Sequence, residues 1–316
     1  ASLPSKATPV DAHIKEVAAA LKKSGSHGVV VTGSSDKNAQ LIAFAINDAL
    51  QSEVFDAANP LHIRKGNDAE LAQVVSDMKA GKVKGLLTYN VDPVYNLSVG
   101  TDFAEAIKRL DLSVAMSVQN NDTANATQFT LPMTHFLESW GDVMMTEGNY
   151  GLIQPTIQKL FNTAQFQEVL LKWSGNTTSY HDYLKGYWSK NVLGGKSWNQ
   201  ALHDGFFTKE TSNTVSKNSI DVASVASALV GVTKSSDFEL VLYSSTALGD
   251  GKQANNPWLQ EFPDPLTRAS WDNYLTVSMV DARVLGFTNP VKDNGAINGN
   301  YAKVTVNGVT LENIPV

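Results

Sequence analysis

Apolar residues along this chain recur at two spacings, and the two alternate. Ile14, Val17, Ala18 and Leu21 share one helical face, with Gly25 behind them as a stop. His27-Gly28-Val29-Val30-Val31 then reads as a buried strand that ends at Thr32-Gly33-Ser34-Ser35. Ser35 or Asp36 caps a helix carrying Leu41, Ile42, Ala45 and Leu50. A further helix is predicted over residues 68–80, with Leu71, Val74, Val75 and Met78 inward and Gly81 as its stop. Gly85-Leu86-Leu87-Thr88-Tyr89 is a second buried strand. A helix around Phe103, Ala106, Ile107 and Leu110 leads to a third strand over residues 113–118.

Strands that alternate with amphipathic helices imply crossover connections and a mostly parallel α/β sheet. The expected strands end at Gly33-Ser34-Ser35, at Asn90-Val91-Asp92-Pro93 and at Asn120-Asn121-Asp122-Thr123. These polar loops would share the carboxyl edge, where open α/β sheets bind ligands.

One stretch has neither period. His135-Phe136-Leu137-Glu138-Ser139-Trp140-Gly141-Asp142, followed by Thr146-Glu147-Gly148-Asn149, gathers a His, carboxylates, a Trp and glycines, and reads as an ordered loop. Beyond Pro155 the pattern changes. Phe166, Val169, Leu170 and Trp173 form a helical face, and residues 180–188 and 198–207 read as helices rich in aromatics. Residues 208–219 are almost entirely polar and form the best linker candidate. A helix over residues 221–229 and a strand over residues 238–242 follow, then a long loop over residues 246–272. A short helix starts near Ser278 and stops at Gly286. Val304-Thr305-Val306 and Val309-Thr310-Leu311 flank Asn307-Gly308, the strongest short hairpin signal. The expected division is a first α/β lobe at 1–160, a second at 161–290, and the start of a β domain at 291–316. A hairpin needs more sheet than this, so the chain reads as a piece of a longer polypeptide.

The composition narrows the chemistry. The 316 residues include 42% hydrophobic and 18% charged, a globular balance with a net charge of -6 that disfavours a nucleic-acid surface. No apolar run is long enough to span a bilayer, and residues 1–6 lack the pattern of a signal peptide. There is no cysteine, which removes disulfides, thiolate nucleophiles and Cys-ligated zinc or iron–sulfur clusters from these residues. The 6 histidines are scattered, with no metal-ligand spacing.

Each candidate motif has a plainer alternative. Gly33-Ser34-Ser35 can cradle a phosphate on backbone N–H groups, and is more commonly a turn with a Ser cap. Asp92-Pro93 and Asp122-Thr123 can face ribose or a base edge, and Asp is also an ordinary turn residue and cap. His135, Glu138 and Asp142 can form an acid–base group, and more often such side chains pin a loop. Tyr180, Tyr183, Tyr187, Trp188 and Trp198, in a chain of net negative charge, suit packing better than base stacking. Asn255, Asn256, Trp258, Gln260 and Asp264 form a rigid polar loop, which either bonds to itself or lines a cleft or subunit contact.

Several of these segments together resemble the molybdopterin oxidoreductases. Residues 44–50 resemble the helix after the first strand of that family, and residues 81–87 with Asp92-Pro93-Val94-Tyr95 its second strand and Asn-Pro loop. Asn121-Asp122-Thr123-Ala124 with Leu131-Pro132, and Glu138, Gly141, Glu147-Gly148 and Gln154-Pro155, match its following segments. The wording of residues 135–142 with Leu152-Ile153-Gln154-Pro155, and of residues 256–265 with Trp271-Asp272-Asn273, is narrower. It resembles the large iron–sulfur subunit of alternative complex III, a quinol:cytochrome c oxidoreductase. The resemblance implies a formate dehydrogenase/DMSO reductase-like fold with Rossmann-like sheets and a vestigial cofactor cleft. That cleft would run along Gly33, Ser34, Asp92, Pro93, Asp122, Thr123, Glu138, Gly141, Glu147, Gly148, Trp258 and Gln260, with no catalytic residue and no metal ligand. It further implies iron–sulfur clusters elsewhere in the parent chain, neighbouring domains and subunits of a membrane-bound respiratory complex as partners, and a periplasmic location. Two departures disfavour a bound pterin. Asp92 stands where the family has Asn, adding like-charge repulsion to a pyrophosphate, and Asn149 stands where Arg often follows Glu-Gly. The competing reading is a catalytic fragment that binds a pterin guanine dinucleotide across Gly33, Asp92, Asp122 and Gly148. An independent small-ligand binding protein is open to any such sheet and has no motif behind it.

Overall fold

The computed structural model describes residues 3–63, 66–210, 220–232, 238–271, 273–295 and 299–316. The chain forms two compact units, residues 1–94 with 99–240 and residues 95–98 with 241–316.

The first unit begins with helices α1 (Asp11–Ser24), α2 (Lys37–Leu50) and α3 (Asp68–Lys79). Their starts follow from capping chemistry. Asp36 accepts a hydrogen bond from the Ala39 N–H, and Asn67 accepts one from the Glu70 N–H, so each satisfies a donor that the first helical turn leaves open. Then come β1 (Gly85–Tyr89), α4 (Pro93–Asn96), α5 (Gly100–Ile107), β2 (Leu112–Ser117), α6 (Asp122–Ala126) and β3 (Phe129–Pro132). The strands form a parallel sheet in the order β1-β2-β3, with Leu87 beside Val114 and Met116 beside Leu131. The class is therefore mixed α/β with a parallel sheet. Residues 113–117 are buried in succession, as expected of a central strand covered on both faces. Phe103, Ala106 and Ile107 of α5 and Val75 and Met78 of α3 are buried in this unit.

After a short 3-10 turn at Phe136–Glu138, β4 (Gly141–Thr146) and β5 (Asn149–Ile153) make a hairpin. Helices α7 (Phe166–Trp173), α8 (Tyr180–Asn191) and α9 (Trp198–Asp204) follow, then β6 (Phe206–Thr208) and α10 (Val222–Val230). β6 pairs antiparallel with β5 and completes a sheet in the order β4-β5-β6. Tyr180, Leu184, Trp188, Val192, Leu193, Trp198 and Ala201 form a buried cluster, against which Trp140, Tyr150, Leu152 and Phe207 pack.

The second unit carries α11 (Pro257–Glu261), α12 (Met279–Leu285), β7 (Tyr301–Val306) and β8 (Val309–Pro315). Ser278 caps α12 and Gly286 ends it at φ 80°, both as the sequence predicts. The turn residues Asn307 and Gly308 lie at φ 48° and 82°, the left-handed pair that a two-residue hairpin requires. Among the described residues of this unit, none is fully buried.

Four expectations are corrected. Residues 28–31 join no strand pairing, because the buried amide of Asn47 takes both the N–H and the C=O of Val30, at 2.7 and 2.9 Å. β3 stands in the sheet instead. Residues 238–242 are also outside any strand, with Val241 and Leu242 exposed. The helix expected to reach Phe207 stops at Asp204, where Gly205 turns at φ 75° and releases the chain into β6. The loop expected through Asp142 becomes strand at Gly141, and Glu147-Gly148 is the tip of the β4–β5 hairpin. Of the linker expected at 208–219, residues 211–219 lie outside the described residues, as does Asp272.

Candidate functional site

Two of the predicted loops meet at the carboxyl edge of the parallel sheet. β1 delivers Asp92-Pro93 and β2 delivers Asn121-Asp122-Thr123, at the ends of neighbouring strands. The Asp92 carboxylate reaches across. Oδ1 accepts from the Thr123 N–H at 2.9 Å and the Thr123 hydroxyl at 2.7 Å, and Oδ2 accepts from the Asp122 N–H at 3.2 Å. Thr123 is fully buried, and its Oγ1 accepts the Val94 N–H at 3.1 Å. Asn121 caps the same helix by accepting from the Ala124 N–H at 2.8 Å. The open amides of α6 are thus taken by side chains of the chain itself, and a carboxylate stands where an incoming anion would need donors.

The Gly33-Ser34 turn has the same character. Ser34 Oγ accepts from the Asp36 N–H at 3.1 Å, and the Ser34 carbonyl accepts from the Gln40 side chain at 2.6 Å. The Asp36 carboxylate caps the start of α2 by accepting from the Ala39 N–H. Space around Gly33 is open, so no close backbone approach requires a glycine there. Next to this turn a groove of about 340 Å³ is lined by Val30, Val31, Thr32, Leu41, Phe44 and Phe55, with Lys37 and Gln40 at its side. Phe44 and Phe55 meet edge to face, with centroids 5.2 Å apart, so its floor is apolar.

The residues of the His135–Asp142 stretch divide between separate tasks. Glu138 Oε2 accepts the His135 N–H at 3.3 Å and Oε1 the Leu160 N–H at 3.1 Å. His135 Nδ1 accepts the Leu137 N–H, completing a reciprocal cap on the 3-10 turn. Asp142 faces elsewhere: its Oδ2 accepts the indole N–H of fully buried Trp188 at 2.8 Å. Gly141 opens β4 against Ile153. Glu147 and Gly148 form the hairpin tip, Gly148 at φ 78° with its carbonyl accepting from the Lys209 N–H. His135, Glu138 and Asp142 are thus engaged in the loop-pinning hydrogen bonds of the plainer alternative, Glu138 with His135 and Leu160, and Asp142 with Trp188.

Burial and charge shape the tyrosines beside Asp142. Tyr180 is pushed up to about 12, first by burial and then by the Asp142 carboxylate. Tyr150 is also raised, again by burial first, then by Glu147. Both phenols stay neutral at physiological pH and pack in the cluster around Trp188.

Trp258 and Gln260 lie in the second unit, on α11. Trp258 is 81% exposed, and the Gln260 side chain donates to the Ala254 carbonyl within its own loop. The Asn256 side chain caps α11 through the Trp258 and Leu259 N–H groups.

Two residues escaped the sequence reading. Asn47 is one; its only signal was a polar side chain four positions from Ala43 on the buried face of α2. Gln165 is the other, buried, with its side-chain amide accepting the Trp140 N–H at 3.3 Å and donating to the Trp140 carbonyl at 2.5 Å. Nothing local in the sequence marks that pairing.

A molybdopterin dinucleotide would need donors for its pyrophosphate and cations to balance it. The candidate cleft residues include Asp92, Asp122, Glu138 and Glu147 and no Lys or Arg. The amides best placed for an anion are taken by Asp92 and Asp36. The residues present do not fit that group. Among the described residues no cluster of His, Asp or Glu is arranged to hold a metal ion, and no helix is long and apolar enough to cross a membrane.

No family model matches the chain. Among curated proteins it is similar to the menaquinone reductase, molybdopterin-binding-like subunit of Nitratidesulfovibrio vulgaris (strain Hildenborough), 27% identical over 124 residues. That alignment spans 36% of this chain and 18% of the relative. Among solved structures it is similar to acetylene hydratase from Pelobacter acetylenicus, with a TM-score of 0.36 and 14% identity, over 58% of this chain and 28% of that one. The sequence similarity is thus to a subunit whose own name calls it molybdopterin-binding-like, and it spans less than a fifth of that relative's length.

Proposed function

We infer that this chain is a molybdopterin-like structural module of a membrane-associated, quinone-linked electron-transfer complex, and that it works without a pterin of its own. The relative's name supports the quinone-linked setting. The observation that carries the cofactor-free reading is the Asp92 carboxylate bound to the Asp122 and Thr123 amides and the Thr123 hydroxyl. A negative charge fixed at that edge repels a pyrophosphate and leaves it without donors.

In this reading the family's loops persist as architecture. Asp92 ties two crevice loops together, Glu138 clamps the 3-10 turn to the segment before α7, and Asp142 anchors the hairpin to Trp188. The finer assignment is to a formate dehydrogenase/DMSO reductase-like fold in the large subunit of an alternative complex III-type assembly. Iron–sulfur clusters would then sit in other parts of the parent polypeptide, and the whole would face the periplasm.

The test is metal and pterin analysis of the native complex purified from its source. Iron with no stoichiometric molybdenum, tungsten or extractable pterin in this subunit is the expected result. One pterin and one molybdenum or tungsten per subunit would overturn the reading in favour of a catalytic fragment.

A further inference from the structure

The sequence contains three Asn-Gly steps, and all of them fall within residues 294–308. One, Asn307-Gly308, is the turn of the β7–β8 hairpin, with φ at 48° and 82°. A two-residue turn selects this pair because both positions need a left-handed backbone. The same pair sets a side-chain amide next to a backbone N–H that no β-carbon shields. Both residues are exposed, and no described residue of their unit is fully buried. The β7–β8 ladder, the Thr305–Thr310 hydroxyl contact at 2.9 Å and the Lys303–Glu312 ion pair hold the hairpin, so its tip opens without disrupting a core. Other asparagines contrast with it. Asn47 is buried, its amide is taken up by Val30, and Asp48 follows it. Asn149 Nδ2 donates to Thr146 Oγ1 at 2.8 Å, its Oδ1 accepts from the Thr208 hydroxyl at 3.0 Å, and Tyr150 follows it in β5.

We propose that Asn307 is a site of self-modification, at which the chain converts its own hairpin turn to isoaspartate and aspartate. The Gly308 N–H gives its proton to base, and its nitrogen attacks Asn307 Cγ. The N–Cγ bond forms, the Cγ–Nδ2 bond breaks and ammonia leaves, so a cyclic imide replaces the side-chain amide. Water then opens the ring. Addition at Cγ gives aspartate; addition at the backbone carbonyl gives isoaspartate, with a methylene inserted in the main chain. Closing the ring turns the Asn307–Gly308 linkage out of the hairpin geometry, so the reaction draws on molecules in which Val306 and Val309 have parted. Isoaspartate lengthens a turn whose two residues set the strand register, so β7 and β8 cannot re-form their pairing unchanged. The hairpin thus has a chemical lifetime governed by its own opening.

The test is incubation of the 316-residue chain at mildly alkaline pH, followed over time by peptide mapping with mass spectrometry. The expected result is ammonia release with replacement of the Asn307 amide by carboxyl, faster as pH rises, with isoaspartate exceeding aspartate and with Asn47 and Asn149 unchanged. Gly308→Ala separates the chemistry from the opening. A β-carbon at this positive φ loosens the hairpin yet hinders the attacking nitrogen. Conversion should therefore slow several-fold while the β7–β8 amides exchange faster. An Asn307 that stays intact over a period in which the urea-unfolded chain converts overturns the proposal. So does conversion that Gly308→Ala leaves unchanged or accelerates, or conversion of Asn47 or Asn149 at the same rate.

Discussion

Two antiparallel hairpins of similar length end in entirely different surroundings. β4–β5 turns at Glu147-Gly148 and lays Tyr150 and Leu152 against the cluster around Trp188. β7–β8 turns at Asn307-Gly308, a stronger sequence signal, yet Tyr301, Val309 and Leu311 are exposed. Turn chemistry decides where a chain reverses. Burial of apolar area decides how much the reversal contributes to stability, at about 25 cal/mol per Å². Within the units as they stand, the first hairpin is built into a core and the second is held by its own ladder, by ties such as Leu275 to Pro315, and by the Lys303–Glu312 ion pair.

The sharpest way to break this contrast is at the core. Trp188→Ala should destabilise the first unit by about 3–5 kcal/mol, the range for emptying a buried aromatic site. The exposed Tyr301→Ala should stay within about 0.5 kcal/mol. Urea unfolding followed by circular dichroism measures both, and equal effects would undo the distinction. Next in size is Asp142→Ala, which leaves the buried Trp188 indole N–H without its acceptor. The expected loss is about 1–3 kcal/mol, whereas Asp142→Asn, which keeps an acceptor, should lose less. Smaller again are Gly148→Ala and Gly308→Ala, each adding a side chain at positive φ. About 1 kcal/mol is expected for each. At Gly148 global stability should fall; at Gly308 the loss should register as local opening, seen as faster exchange of β7–β8 amides.

The subtlest test is the pH dependence of the first hairpin's packing. Tyr180 ionises near 10.0 in the unfolded chain and at about 12 in the folded one. Folding therefore keeps a proton that unfolding gives up above pH 10. The contribution is complete below that value and is lost as pH rises toward 12. Tyrosinate absorbance in the folded protein should show a late-titrating phenol that Tyr180→Phe removes, and Asp142→Asn should bring it down, since the carboxylate is a secondary cause of the shift. A Tyr180 that titrates with the exposed tyrosines would contradict the packing described for α8.

Legibility in the sequence followed the range of the interaction. Caps were readable because donor and acceptor lie within a turn: Asp36 for α2, Ser278 and Gly286 for α12. The Asn307-Gly308 hairpin was readable for the same reason. β4 was missed because Gly141-Asp142-Val143-Met144-Met145-Thr146 has no clean alternation, and it is strand only through its pairing with β5, whose Tyr150 and Leu152 pack on the Trp188 cluster. Residues 28–31 carried the right period for a strand. The backbone partner that would complete one was replaced by a side chain from α2, which no local pattern announces. At the crevice, Asp92 and Thr123 were each visible as polar turn residues. That they close on one another was not, because the contact joins loops from separate strands.

Gly100 gives the crevice edge a consequence for reading other sequences. A β-carbon at this first residue of α5 would run into the Val94 carbonyl oxygen, inside the turn that Asp92-Pro93 begins. Since the obstacle is backbone, any side chain there must displace the turn, and with it the Val94 N–H that Thr123 holds. A related sequence with Asp-Pro after the strand that matches β1 but a bulky residue at the place of Gly100 should thus be assigned a differently shaped loop, whatever its overall identity to this chain.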